Sequence, residues 1–255
     1  MVAEGDAQTM VAGVATPTAL VIQAGALTVG LAEGIETPSS FFLMIIPEFQ
    51  GQQNRPFLYA DCAVNVAPSA DELADIAAFY EQLTRAIKAP LMIDTTDPEA
   101  VELALTYCQG RAIVNSINLE DGQSRFDAVV PLLARYGAAV VVGTIDEHPE
   151  QAQAFSRERK LEVARRSYEL LTGSYGLAPQ DLVFDPLVFP AASGDEAYIG
   201  GAVETLEGLR LIREAFPSSR TILGISNVSF GLPVAAREVV NSVFLYLATR
   251  AGLDL

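Results

Sequence analysis

The sequence predicts an α/β protein, a (β/α)8 barrel of the TIM type with an irregular N-terminal portion that contains a β-hairpin. Three observations predict it. Short apolar runs alternate with stretches of helical periodicity, these runs number eight, and successive ones end on Asp or Asn. A chain of 255 residues suits one barrel domain spanning 1–255.

Met10–Val14 is the first expected strand, and Thr16-Pro17 opens a helix to about Leu31 that is apolar on nearly every face, as suits a helix packed between layers. Ser40–Ile46 and Phe57–Val64 are aromatic and β-branched, which marks buried strands. Only the ten residues Pro47–Pro56 lie between them, and a parallel crossover needs roughly a dozen or more with a helix, so the pair is expected to be an antiparallel hairpin. Ser69 and Glu72 have capping-box spacing, and Leu73, Ile76, Tyr80, Leu83 and Ile87 give the next helix its buried stripe.

Residues 91–118 carry the clearest unit. Leu91–Ile93 is apolar and ends on Asp94; Asp97 caps and Pro98 starts a helix whose Val101, Ala104, Leu105 and Cys108 share one face. Gly110 stops it, and a strand over 111–117 carries Asn115-Ser116 at its end. Phe126, Val129, Val130 and Leu133 form the following helical face, with Pro131 expected to kink it and Gly137 to end it. A strand over 139–145 ends in Asp146-Glu147, and a helix over 152–171 carries the charge run Arg157–Lys160, expected to be a solvated face. Leu182–Phe184 ends in Asp185-Pro186, and Gly200-Gly201 precedes a helix with Val203, Leu206, Leu209, Ile212 and Phe216. The last strand, 221–226, ends in Ser226-Asn227, and a helix over about 234–250 buries Val240, Val243, Phe244 and Leu247. In parallel barrels ligands sit at the carboxyl ends of the strands, so Asp94, Asn115, Asp146, Asp185 and Asn227 are the candidate substrate-binding residues of a polar rim.

Composition limits the partners. A formal net charge of −16 with no run of Lys or Arg excludes nucleic acid and acidic membrane surfaces. Cys62 and Cys108 lie inside expected elements as buried thiols, and MVAEGDAQ lacks the basic start of a signal peptide, so a cytoplasmic protein is expected. The only histidine, His148, is expected to be a solvated loop residue, and no metal site is predicted. Asp146, His148 and Gln151 have the spacing of a cobalamin-ligating Asp-x-His-x-x-Gly motif without its Gly, a chance match.

The motifs LMIDTT (91–96), AIVNSIN (112–118), YGAAVVV with TIDE (136–147), LVFDPLVFP (182–190) and GISNVSFGLP (224–233) resemble one family over roughly 77–255. It is the methyltetrahydrofolate-binding barrel of cobalamin-dependent methionine synthases and methyltetrahydrofolate:corrinoid methyltransferases. The resemblance implies pterin contacts from Asp94, Asn115, Asp185 and Asn227 with Asp146 nearby, and Asn227 as the catalytic residue facing N5. It implies methyltetrahydrofolate as ligand and cobalamin only on a corrinoid partner protein, with no cofactor held by the chain itself. Residues 1–77, through QTMVAGVATPT (8–18), TPSSFFLMIIPEF (37–49) and FLYADCAVNVAPSADELADIA (57–77), resemble phosphate acetyltransferase instead. Two families meeting in mid-helix without a linker imply an engineered chimera, in which the acetyltransferase fragment stands for the barrel's opening strands. A folded scaffold without activity, and a natural divergent methyltransferase, are the alternatives.

Overall fold

Strand and helix alternate through a computed structural model that describes residues 40–49, 52–61, 70–86, 88–191 and 196–255. The strand expected at 10–14, the helix at 17–31, Cys62 and the cap at Ser69 lie outside these residues. Contacts divide the chain into two units, Met1–Ala112 and Ile113–Leu255. No helix among the described residues is long and apolar enough to cross a membrane.

In the first unit, β1 (Ser40–Phe49) and β2 (Gln52–Asp61) form the expected antiparallel hairpin, with Phe41 opposite Ala60 and Leu43 opposite Leu58. Helix α1 (Ala70–Ala86) follows, and β3 (Leu91–Asp94) then lies parallel to β2, Leu58 beside Leu91 and Asp61 beside Asp94. Leu91, Met92 and Ile93 are all buried, as a parallel strand covered on both faces requires. Helix α2 (Pro98–Tyr107) starts where the sequence sets it: the Ala100 N–H donates to Asp97 Oδ1 at 2.8 Å, and Pro98 occupies the first turn. Its buried residues are Ala100, Val101, Ala104 and Leu105. Cys108 is a half-buried free thiol, and burial pushes it up to about 11, so it stays protonated.

The second unit is a parallel run: β4 (Ile113–Leu119), α3 (Ser124–Tyr136), β5 (Ala139–Asp146), α4 (Arg157–Glu169), β6 (Leu182–Asp185), α5 (Gly201–Ala215), β7 (Arg220–Thr221) and α6 (Val234–Ala251). Gly137 ends α3 at φ 67°, a left-handed cap that Gly adopts without a Cβ penalty. Pro131 lies inside α3 on its exposed side. Val188, Leu209, Leu223, Val228, Phe244 and Ala248 form the core beneath the last two helices.

Four expectations need correction. β4 runs on to Leu119, so Asn115 is its third residue and not its end. The strand expected over 221–226 shrinks to β7, because the C-terminal residues take up the pairing: the Leu255 N–H donates to Thr221 O (3.0 Å) and the Thr221 N–H to Asp254 Oδ2 (3.0 Å). A 3-10 turn, Ile225–Ser229, replaces its second half. Lys160, placed on a solvated face by the charge run, is 0% exposed, sharing its stripe with Val163, Ala164 and Ser167. In α6 only Phe244 and Ala248 are buried, while Val243 and Leu247 are 54% and 43% exposed.

Candidate functional site

A cavity of about 300 Å³ opens in the second unit beyond β6, lined by Gln153, Asp185, Phe189, Tyr198, Asn227 and Phe230 among others. It brings together two of the five residues the sequence singles out. Asp185 is the last residue of β6, and Asn227 reaches the cavity from the 3-10 turn that follows β7. A larger cavity of about 570 Å³ lies in the first unit at the opposite end of β3, beside Leu91, Lys88 and Arg111. It holds none of the five, so chemistry selects the smaller one.

Local sequence explains how each side chain is presented. Pro186 follows Asp185 and the chain reverses at Leu187, whose φ of 61° is left-handed and costs a side-chain-bearing residue about 1–2 kcal/mol. In return the Leu187 N–H points back and donates to Asp185 Oδ1 at 2.8 Å. Burial lifts the Asp185 carboxyl to about 6, opposed by this hydrogen bond and by the charge of Lys160. Asn227 depends on Gly224, where an added Cβ would stand 3.0 Å from Asn227 Nδ2. The cavity wall is aromatic: Phe189 stacks on Tyr198 with ring centres 5.7 Å apart and planes 20° off parallel, and Phe155 packs behind it at 5.2 Å.

The other three residues stand elsewhere. Asp146 ends β5 at 4% exposure, and both its oxygens accept from Arg159 Nη2 at 2.6 Å while the His148 N–H donates to Oδ1 at 3.1 Å. It holds its own loop against α4. Asn115 is half-buried in a stretch of β4 where the register to β5 shifts, between Val114 (opposite Val140) and Ile117 (opposite Val142), and its peptide bond to Ser116 is cis. Asp94 is half-buried at the end of β3, in the first unit. His148 is exposed, its Nδ1 accepting from the Glu150 and Gln151 N–H groups.

Sequence reasoning passed over Lys160, Phe189 and Tyr198. Lys160 Nζ donates to Ala154 O (2.8 Å), Pro186 O (2.5 Å) and Leu187 O (3.4 Å), and burial lowers it to about 8. Its signal was position: it recurs at helical spacing with Val163, Ala164 and Ser167. Phe189 lies inside the LVFDPLVFP motif, four residues past Asp185. Glu204 of α5 closes the arrangement, accepting from the Arg157 backbone N–H (2.7 Å), Nε (3.0 Å) and Nη2 (2.6 Å of Oε1), which holds its carboxyl down at about 2.

The pterin binding enzyme family matches residues 61–255, and the phosphate acetyl/butaryl transferase family matches residues 1–93. The chain is 40% identical over 187 residues to the methionine synthase of Mycobacterium tuberculosis, covering 72% of this chain. It is 40% identical over 185 residues to that of Mycobacterium leprae, covering 71% of this chain. It spans only 15% of the length of either synthase. Among solved structures, dihydropteroate synthase from Xanthomonas albilineans with bound 7,8-dihydropteroate aligns with a TM-score of 0.50 at 16% identity, over 76% of this chain and 70% of that one. The Yersinia pestis dihydropteroate synthase with a sulfonamide drug aligns with a TM-score of 0.52 at 14% identity, over 74% of this chain and 67% of that one. These likenesses show the fold, an α/β barrel of the TIM type.

Proposed function

Because the chain belongs to the pterin binding enzyme family, we propose that the cavity holding Asp185 and Asn227 binds the pterin ring of methyltetrahydrofolate. The observation that carries this reading is the pairing of one carboxylate and one amide in a cavity walled by the stacked Phe189 and Tyr198 rings. A pterin presents a ring N–H and an amino group side by side, a donor pair that an ionised carboxylate accepts bidentately. Asp185 supplies that carboxylate. The Asn227 amide donates toward N5, where departure of the methyl group is helped by a hydrogen bond; since an amide does not titrate, its role is electrostatic. Asp146 shapes the neighbouring loop through Arg159. A corrinoid carried on a partner protein would supply the methyl acceptor; this chain's residues bind, orient and hydrogen-bond the donor.

We infer further that the chain joins two lineages. The two family matches overlap over residues 61–93, a span that holds α1 and reaches β3, and a natural fusion puts its boundary in an exposed linker. A foreign first portion bears on rate more than on affinity, because displacing a reacting group by an ångström costs about a hundredfold. Binding is therefore the first property to measure. In a calorimetric titration with 5-methyltetrahydrofolate, the protein gives saturable heat. Asp185→Ala lowers the affinity about ten- to a hundredfold and Asn227→Ala about tenfold, the range for a charged and a neutral hydrogen-bonding group, with a cooperative melt retained. Unchanged affinity in both variants sinks the proposal.

A further inference from the structure

Among the described residues Lys160 is the one buried cation, and its surroundings are unusual for a charge. Its ammonium faces carbonyls: Ala154 O, Pro186 O and Leu187 O, with the Phe189 ring centre 4.8 Å away. Two of these carbonyls belong to the reversal that follows Asp185. The same Leu187 oxygen also accepts from Thr205 Oγ1 at 2.9 Å, so α4 and α5 grip one peptide group from two sides. That carbonyl belongs to Leu187, the left-handed residue whose own N–H holds the Asp185 carboxyl. The stem of Lys160 reaches it by crossing α5 at Gly208, where an added Cβ would stand 2.7 Å from Lys160 Cδ. A buried charge is unfavourable for stability, and an apolar side chain of similar length would serve packing as well.

We propose that Lys160 is the positioning residue for Asp185, holding the Asp185–Leu187 turn in the shape that aims the carboxylate into the cavity and keeping that carboxylate ionised at neutral pH. Its meaning for ligand binding rests on the pterin reading above. The charged groups around the turn are Lys160 from α4 and Glu204 from α5, and Glu204 is neutralised by Arg157. Burial raises Asp185 to about 6 and lowers Lys160 to about 8, and each charge opposes the other's shift, so both are charged at pH 7.

The test follows the Asp185 side-chain carboxyl by carbon NMR across pH in the full chain, in wild type, Lys160→Met and Lys160→Gln. Gln keeps a donor for the carbonyls and loses the charge. The Asp185 midpoint is expected to rise by about one pH unit or more in both variants, a tenfold change in the ratio of ionised to neutral carboxyl that removes about half of the ionised form at pH 7. If Met fails to fold, Gln decides; if both fail, the wild-type Lys160 Nζ resonance decides, since coupling requires it to show a step at the Asp185 midpoint as well as its own. An Asp185 midpoint unmoved in the variants, or a Lys160 resonance without that step, overturns the proposal. A 5-methyltetrahydrofolate titration run in parallel separates the two ideas. Wild type that binds nothing while the Asp185 midpoint moves refutes the pterin reading and leaves Lys160's role standing; wild type that binds predicts about twofold weaker binding by Lys160→Gln at pH 7, widening to about fivefold at pH 6.

Discussion

Arg159→Leu would strip the buried Asp146 of its hydrogen-bonded guanidinium and leave it only the longer ion pair with Arg166 at 3.7 Å, a cation shared with Glu147 at 2.6 Å. Breaking a buried pair from one side costs about 3–5 kcal/mol; as Arg159 keeps some exposure, about 3 kcal/mol is expected, read as a lower urea midpoint at unchanged slope. At this scale the sequence was legible where chemistry is local. Asp185 followed by Pro186 marks a strand end, and Asp185 does reach a cavity. Asp146 gave the same signal, yet its carboxylate is taken by a guanidinium thirteen residues on, a partner that helix orientation selects and spacing alone does not. Lys160 was hidden by its residue type: a Lys among charged neighbours reads as surface, and only its recurrence with Val163 and Ala164 puts it on the buried stripe.

Elements were legible where their ends are self-contained. Asp97-Pro98 sets the start of α2 through one side-chain acceptor and one fixed φ, and Asp97→Ala is expected to cost about 1 kcal/mol, with faster amide exchange confined to the first turn of α2. The β1–β2 hairpin was legible because a ten-residue connection excludes a crossover. β7 was not, since its pairing depends on Asp254 and Leu255, more than thirty residues away. The apolar stripe of α6 misled for a related reason: periodicity shows which residues share a face, and neighbouring elements decide which face is covered. Here Phe244 and Ala248 face the core and Val243 does not.

For the whole molecule, the fold class followed from the order of strands and helices, and the family match over 61–255 agrees with it. What order does not reveal is how ionisation couples to stability. Asp185 is raised from 3.8 to about 6 by burial, so the stability it contributes is present below about pH 4 and lost as pH rises through about 6. Glu204 is lowered from 4.5 to about 2 by Arg157, so its contribution is present above 4.5 and lost as pH falls toward 2. Urea midpoints for wild type and Asp185→Asn should therefore converge near pH 4 and separate between 4 and 6, wild type falling relative to the variant; parallel curves would contradict the burial assigned to Asp185.

The register of the parallel strands has a geometric consequence for any flat ligand. Asp185 is level with Gly143, while Asn115 lies between residues level with Val140 and Val142, about two residues lower. At about 3.3 Å per residue, that is a drop of roughly 7 Å, close to the length of a two-ring heterocycle. Side chains on neighbouring strands thus end at different heights, a staircase on which a flat molecule reaching from Asp185 to Asn115 would have to tilt by that drop.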